Sequence, residues 1–170
     1  MTIRDADIAD AKELLEIYSP YVTNTAISFE YEVPSVQEFE NRIRKIKEKY
    51  VYLIAKEQEK IIGYCYANTF HARKAYDRSV EVSIYIRSGY KRKGTGKLLY
   101  HALEERLKKR GVKNMYACIA YPRKEDEFLT KDSVLFHEKM GFTECGHFHQ
   151  CGSKFGHWYD MVYMEKLLDR

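Results

Sequence analysis

The chain carries two hydrophobic rhythms, one with apolar residues three or four apart and one with apolar residues at every second position. In the first rhythm, Ile8, Ala11, Leu14, Leu15 and Tyr18 share a helical face behind Asp7, a side chain suited to capping, and Pro20 is expected to limit that helix. After Pro34, Ser35 caps a second helix, with Glu38 three residues on as its capping-box partner and Phe39, Ile43 and Ile46 on the buried face. The basic run from Arg42 to Lys49 complements the dipole at that helix's C-terminal end and reads as its solvated face. A third helix carries Leu98, Leu99, Ala102, Leu103 and Leu107 up to a Gly111 C-cap, and a short fourth spans Asp132 to Met140.

The second rhythm marks strands at Thr2-Ile3-Arg4, Tyr50 to Lys56, Ile61 to Asn68, Val80 to Ile86, Asn114 to Ala120, Phe142 to Cys151 and His157 to Glu165. The polar turn Gln58-Glu59-Lys60 joins the second and third of these as a hairpin. In chain order the elements read β-α-α-β-β-β-α-β-α-β-β, a hairpin meander with one strand-helix-strand unit. That order predicts an α+β fold with a mixed sheet. No linker, low-complexity tract or internal repeat divides residues 1–170, so a single domain is expected.

Composition narrows the function classes. Of 170 residues 45% are hydrophobic, and 15 Tyr, 8 Phe and 1 Trp supply rings for a packed core. With 29 basic against 25 acidic residues the net charge is +4, too small a surplus to predict a nucleic-acid partner. No apolar run approaches the roughly 18 residues of a membrane span. The stretch from Met1 to Asp7 has no apolar signal-like core, so a cytoplasmic location is expected. Cys65, Cys118, Cys145 and Cys151 are spread too widely for a CxxC pair and are expected to be reduced, mostly buried thiols.

The most specific local chemistry follows the fourth strand. Gly89-Tyr90-Lys91-Arg92-Lys93-Gly94-Thr95-Gly96 runs from that strand straight into a helix, where free backbone N–H groups meet the positive end of the dipole. Such a turn seats a pyrophosphate. Gly94 and Gly96 remove side chains where a ligand approaches the backbone, and Lys91, Arg92, Lys93 and Lys97 add positive charge. The sequence is neither a Walker A loop nor the dinucleotide GxGxxG.

This turn, together with His137-Glu138-Lys139-Met140-Gly141-Phe142 at the end of the last helix, resembles the GNAT superfamily of N-acetyltransferases over nearly the whole chain. The resemblance implies splayed central strands, about four helices, acetyl-CoA as co-substrate and no metal. It sets Ile84, Tyr85 and Ile86 against the pantetheine and Arg92, Lys93, Gly94, Thr95, Gly96 and Lys97 against the pyrophosphate, with Thr130 and Ser133 completing the cofactor site. Lys91 stands where Gln or Arg is more usual. The stretch Thr25-Ala26-Ile27-Ser28-Phe29, the loop Ala72 to Asp77, the strand with Glu81, and Lys154-Phe155-Gly156-His157-Trp158-Tyr159-Asp160 are similar to the phosphinothricin and methionine sulfone or sulfoximine acetyltransferases. That narrower likeness implies a small amino-acid acceptor and a homodimer, with Phe155, Trp158, Tyr159 and Tyr163 as a candidate contact surface. The loop Pro122 to Thr130 is longer than that family's and puts Thr130 where an Asn is expected, and His71 replaces a common Lys.

Acetyl transfer to an amine needs a proton acceptor, a donor for the thioester carbonyl and an acid for the leaving thiolate. The resemblance assigns the base to Glu81, the carbonyl donor to the Ile86 N–H freed by the splay, and acid or shared base duty to His137. Tyr85 and Tyr121 are other conceivable acids. An amino-acid acceptor carries a carboxylate, which the fork of Arg73 suits, with Tyr76 and Phe29 walling the pocket. The basic loop His71-Ala72-Arg73-Lys74 argues for an anionic acceptor over a polyamine. A protein N-terminus as acceptor, or a non-catalytic acyl-CoA or nucleic-acid binding module, remain the alternatives. His147-Phe148-His149-Gln150-Cys151 invites a zinc reading, but strand alternation alone yields that spacing and no second ligand pair accompanies it.

Overall fold

The computed structural model describes residues 1–168. Its seven strands are β1 (Thr2–Asp5), β2 (Tyr52–Glu57), β3 (Lys60–Thr69), β4 (Ser79–Ile86), β5 (Asn114–Tyr121), β6 (Thr143–Lys154) and β7 (His157–Leu167). They form one mixed sheet in the order β1-β2-β3-β4-β5-β7-β6. The helices are α1 (Ala11–Thr23), α2 (Val36–Lys49), α3 (Thr95–Lys109) and α4 (Asp132–Lys139). Single 3-10 turns precede α1 at Ile8–Asp10 and β4 at Lys74–Tyr76. Every neighbouring pair of strands is antiparallel except β4 and β5, which are joined by the α3 crossover.

Alternation along β4 sorts the molecule into two layers. Tyr85 points to α1, with its ring 5.1 Å from Tyr18 and 5.2 Å from Tyr21. Ile84 and Ile86 point the other way, toward Gly96 and Leu99 of α3. β3 lies between covered faces, and Ile61 through Cys65 are all buried, which is why it reads as a continuous apolar run. A second, small cluster of Ala26, Leu129 and Tyr159 sits under the 122–130 loop.

Local chemistry explains most element ends. Asp7 and Asp10 form a reciprocal capping box ahead of α1. Ser35 accepts from the Glu38 amide at 3.1 Å, but Glu38 turns away to Arg42, so only half of the expected box forms. Gly111 adopts φ 75 just past α3, the left-handed conformation a helix C-terminus favours.

Two expectations are corrected. Pro20 lies inside α1, which runs on to Thr23, because the Glu16 carbonyl that loses its amide partner belongs to an exposed residue and water can serve it. Only Cys65 is buried; Cys118, Cys145 and Cys151 are exposed, since β5 and β6 turn those positions to the outer face of the sheet. No described helix is long and apolar enough to cross a membrane.

Candidate active site

β4 and β5 pair at Ser79↔Asn114, Val80↔Met115 and Glu81↔Tyr116, and the register ends there. Beyond Glu81 the two strands diverge, which is the splay that the resemblance implies. Val82, Ile84, Ala117, Ile119, Ser133, His137 and Tyr100 border the resulting cleft. Arg87 donates its amide to Ile62 of β3, so the amides of Ile84 and Ile86, out of phase with it, face the gap.

The Ile86 amide, which the resemblance implies is free, has a partner. Its N–H reaches the Tyr21 hydroxyl at 3.3 Å, and that hydroxyl donates to the Ile86 carbonyl at 2.6 Å. A splayed strand leaves polar backbone groups without a partner, and α1 supplies a hydroxyl to meet them.

At the top of β4 the turn enters α3 through Gly94 with φ 85 and no side-chain cap. A Cβ on Gly94 would meet nothing within 4 Å, so open space lies in front of the uncapped amides. Gly96 is small for another reason. A Cβ there would come within 3.1 Å of the Phe136 ring, so Gly96 lets α4 pack on α3 rather than admitting a ligand. The basic side chains already have neighbours: Lys91 lies over the Tyr21 ring, Lys93 over the Tyr90 ring, and Arg92 pairs with Asp132 at 3.1 Å. Lys97 is exposed, and the Thr130 hydroxyl accepts from the Asp132 amide at 3.4 Å.

Glu81 sits at the mouth of the splay on the α1–α2 face. Burial pushes its carboxyl up, partly offset by the Tyr163 hydroxyl at 3.4 Å and by His71. A carboxylate raised in this way is a better proton acceptor near neutral pH. His137, by contrast, is enclosed, with only 3% of its surface exposed. Its Nδ1 donates to the Ser133 carbonyl at 2.7 Å, which leaves Nε2 to accept from the Tyr100 hydroxyl at 2.8 Å. Burial holds its pKa down at about 4, so the ring is neutral around pH 7.

The same face of β3 and β4 floors a cavity of about 560 Å³, lined among others by Tyr18, Phe39, Arg42, Tyr66 and Tyr85. Tyr76 packs on Phe70 and His71, and Phe70 lies 6.3 Å from the Tyr163 ring that touches Glu81. The structure thus brings Tyr76 toward Glu81. Arg73 occupies the N-cap position of the adjoining 3-10 turn without a side-chain cap bond, and its side chain is exposed. Phe29 instead lies against β6, close upon Gly152, where even a Cβ would collide with its ring.

Lys154 holds that arrangement, and sequence reading passed it over except as part of a motif. It is 3% exposed, and its ammonium donates to the carbonyls of Val22, Thr25 and Ser28 at 2.6, 2.9 and 2.7 Å. These bonds tie the β6–β7 hairpin to the loop that carries Phe29. The longer 122–130 loop docks there too, with Ala26 donating to Phe128 and Tyr159 to Asp126. Of the aromatic residues expected at a dimer contact, Tyr159 therefore belongs to the interior and Tyr163 to the Glu81 site, while Trp158 is 64% exposed.

His147 and His149 do converge, on Asp160 at 2.8 and 3.2 Å. The third group is Asp160 rather than Cys151. Burial raises the Asp160 carboxyl, but the Gln150 amide, both histidines and Arg123 more than offset it and hold it well below the usual carboxylate range. Its oxygens are already taken by these donors.

Comparison with known proteins gives a consistent result. The Acetyltransferase (GNAT) domain family matches residues 3–163. A phosphinothricin N-acetyltransferase from Streptomyces viridochromogenes is 29% identical over 96% of this chain and 86% of its own length. An L-methionine sulfoximine/L-methionine sulfone acetyltransferase from Pseudomonas aeruginosa is 33% identical over 99% of this chain and 95% of its own. Among solved structures, a phosphinothricin acetyltransferase from Sinorhizobium meliloti in complex with AcCoA superposes with a TM-score of 0.88 at 34% identity, covering 98% of this chain and 87% of that one.

Proposed function

The chain belongs to the GNAT acetyltransferases, and from that premise we propose that it moves an acetyl group from acetyl-CoA to the α-amino group of a small amino acid. The observation that carries this reading is the junction at Glu81. There β4 and β5 part, opening a cleft whose far end is an uncapped glycine turn, and a tyrosine-lined cavity covers the face of β3 and β4 that carries this half-buried carboxylate.

The residues present fit acetyl-CoA. Open space at Gly94 leaves the first amides of α3, that of the buried Thr95 among them, and the side chains of Arg92, Lys93 and Lys97 to take a pyrophosphate, and Ile84 and Tyr85 line the way down to the reacting centre, with Ile86 beyond them at the end of β4. Thr130 and Ser133 flank the first turn of α4 on the far wall. Acetyl-CoA supplies the activated acetyl group.

Glu81 takes the proton of the incoming ammonium and releases it to water, so that a neutral amine attacks; the new C–N bond replaces the C–S bond, and the second proton, shed by the attacking nitrogen, goes to the departing thiolate. The Ile86 amide, handed over by the Tyr21 hydroxyl, stabilises negative charge on the carbonyl oxygen. We assign His137 to positioning: both its nitrogens are engaged, and it fixes Tyr100 and the first turn of α4 against the cleft. Arg73 receives the acceptor's carboxylate, with Tyr76 beside it and Phe29 limiting the pocket from β6.

The exposed Trp158 supports a homodimer, and the reading places the enzyme in the cytoplasm. A thiol-release assay with acetyl-CoA and a panel of L-amino acids tests the proposal. Thiol release that depends on an α-amino acid is expected; release equal with carboxylate-free amines of the same shape would overturn it.

A further inference from the structure

Glu81 is held by one oxygen only. Its Oε2 accepts from the Tyr163 hydroxyl at 3.4 Å, whereas Oε1 accepts from no group among the described residues and is not sealed from the surface. A proton acceptor needs this asymmetry, with one lone-pair site open while the rest of the carboxylate is kept still.

Tyr163 reaches the carboxylate from two strands away. β5 lies between them, with Tyr116 opposite Glu81 and Cys118 opposite Tyr163. Side chains two apart on a strand share a face, so Glu81, Tyr116, Cys118 and Tyr163 stand on the same side of the sheet. Cys118 is short, and over it the Tyr163 hydroxyl meets Glu81 just where β4 and β5 part. Edge-on contacts with Phe70 at 6.3 Å and Phe148 at 6.2 Å hold the ring on that path. Burial, and then Cys118 and Glu81 themselves, keep the Tyr163 phenol well above its usual range, so it stays a neutral donor. The other titratable groups around Glu81 are Tyr66 of β3, Tyr116 and Cys118 of β5, and His71. Burial pushes the first three up, Cys118 to about 11, which leaves them uncharged near neutral pH.

We propose that Tyr163 is the positioning residue of the base: its hydroxyl holds Glu81 by Oε2, so that Oε1 takes the proton of the acceptor's ammonium. This deepens the reading of Glu81 given above and rests on it. The bond is made to the ionised carboxylate, so Tyr163 also opposes its protonation, against the burial that favours it.

Tyr163→Phe removes the hydroxyl and keeps the ring against Phe70 and Phe148. In the ligand-free protein, NMR of the Glu81 carboxyl carbon should show it titrating higher in the variant by about half a unit to one unit, less than a short bond to a buried charge would give. In turnover, the acidic limb of kcat/KM for the amino-acid acceptor should move up in the same sense, and kcat on its plateau should fall by roughly threefold to tenfold with the KM for acetyl-CoA unchanged. That loss should vanish in a Glu81→Gln background, where Tyr163 has no base left to hold. The titration shift should persist in His71→Gln, which removes the other side chain acting on the carboxylate. Positions on the pH axis do not depend on how much of a variant is folded. A carboxyl that titrates alike with and without the hydroxyl, or a loss of equal size with and without Glu81, would overturn the role of Tyr163. Full turnover by Glu81→Gln would instead overturn the assignment of the base, and the proposal with it.

Discussion

The proposed cofactor side and the proposed acceptor side of the splay are built in opposite ways. The first comes almost entirely from one continuous stretch, β4, its glycine turn and the start of α3, closed by the first turn of α4. The second collects Tyr18 from α1, Arg42 from α2, Tyr66 from β3, Glu81 from β4 and Tyr163 from β7. A pyrophosphate is recognised chiefly by backbone amides, so one local conformation suffices. An acceptor is recognised by side chains, and the fold must deliver these from afar.

Substitutions on either side should therefore fail in separable ways. The largest effect is expected at Glu81, where the acceptor side meets the chemistry. Glu81→Gln should lower kcat by roughly 10² to 10⁴ and remove the acidic limb of the pH profile, while calorimetry finds acetyl-CoA affinity unchanged. Unchanged turnover would take Glu81 out of the mechanism.

The next effect belongs to the wall between the two sides. Because burial depresses the His137 pKa from 6.5 to about 4, an unfolded chain binds that proton first. The associated stability is complete above pH 6.5 and is lost as pH falls toward 4, to the extent of about 3 kcal/mol. Asp10, Asp126 and Asp160, also depressed, lose theirs below the ordinary Asp value of 3.8, and the raised Glu81 acts in the opposite sense, so a loss of stability in the window between belongs to His137. Denaturant titrations across that window should show a slope in the wild type that His137→Phe flattens; equal slopes would mean that the ring titrates freely.

The smallest effect is expected on the cofactor side. Gly94→Val forces a β-branched residue into φ 85 and fills the open space before α3, so the KM for acetyl-CoA should rise by more than about tenfold with the acceptor KM little changed. Normal calorimetric binding of acetyl-CoA would move the phosphate site elsewhere.

The same contrast explains what the sequence disclosed. Strand alternation and helical spacing located the seven strands and four helices, and the turn at Gly94 was visible because its chemistry is local. Lys154 gave no such signal. Lys154 bonds carbonyls 126 to 132 positions away, and nothing within a window of ten residues distinguishes it from a solvated lysine. Pro20 misled because a local rule for helix interiors holds only where the lost bond is buried. His137 was found by position, but its enclosure is a tertiary property that only packing reveals.

The three registered pairs between β4 and β5 also bear on how the molecule opens. Backbone bonds from Lys113 and Asn114 to the Arg78 carbonyl fasten the same end, so the strands β1 to β4 and β5 to β7 hang together there and part at the other. In hydrogen exchange such halves behave as neighbouring cooperative units, and the Ile84 and Ile86 amides at their open border should exchange early. A ligand seated between them would slow that exchange and add stability in proportion to its concentration over its Kd, joining two units into one as an extra strand would.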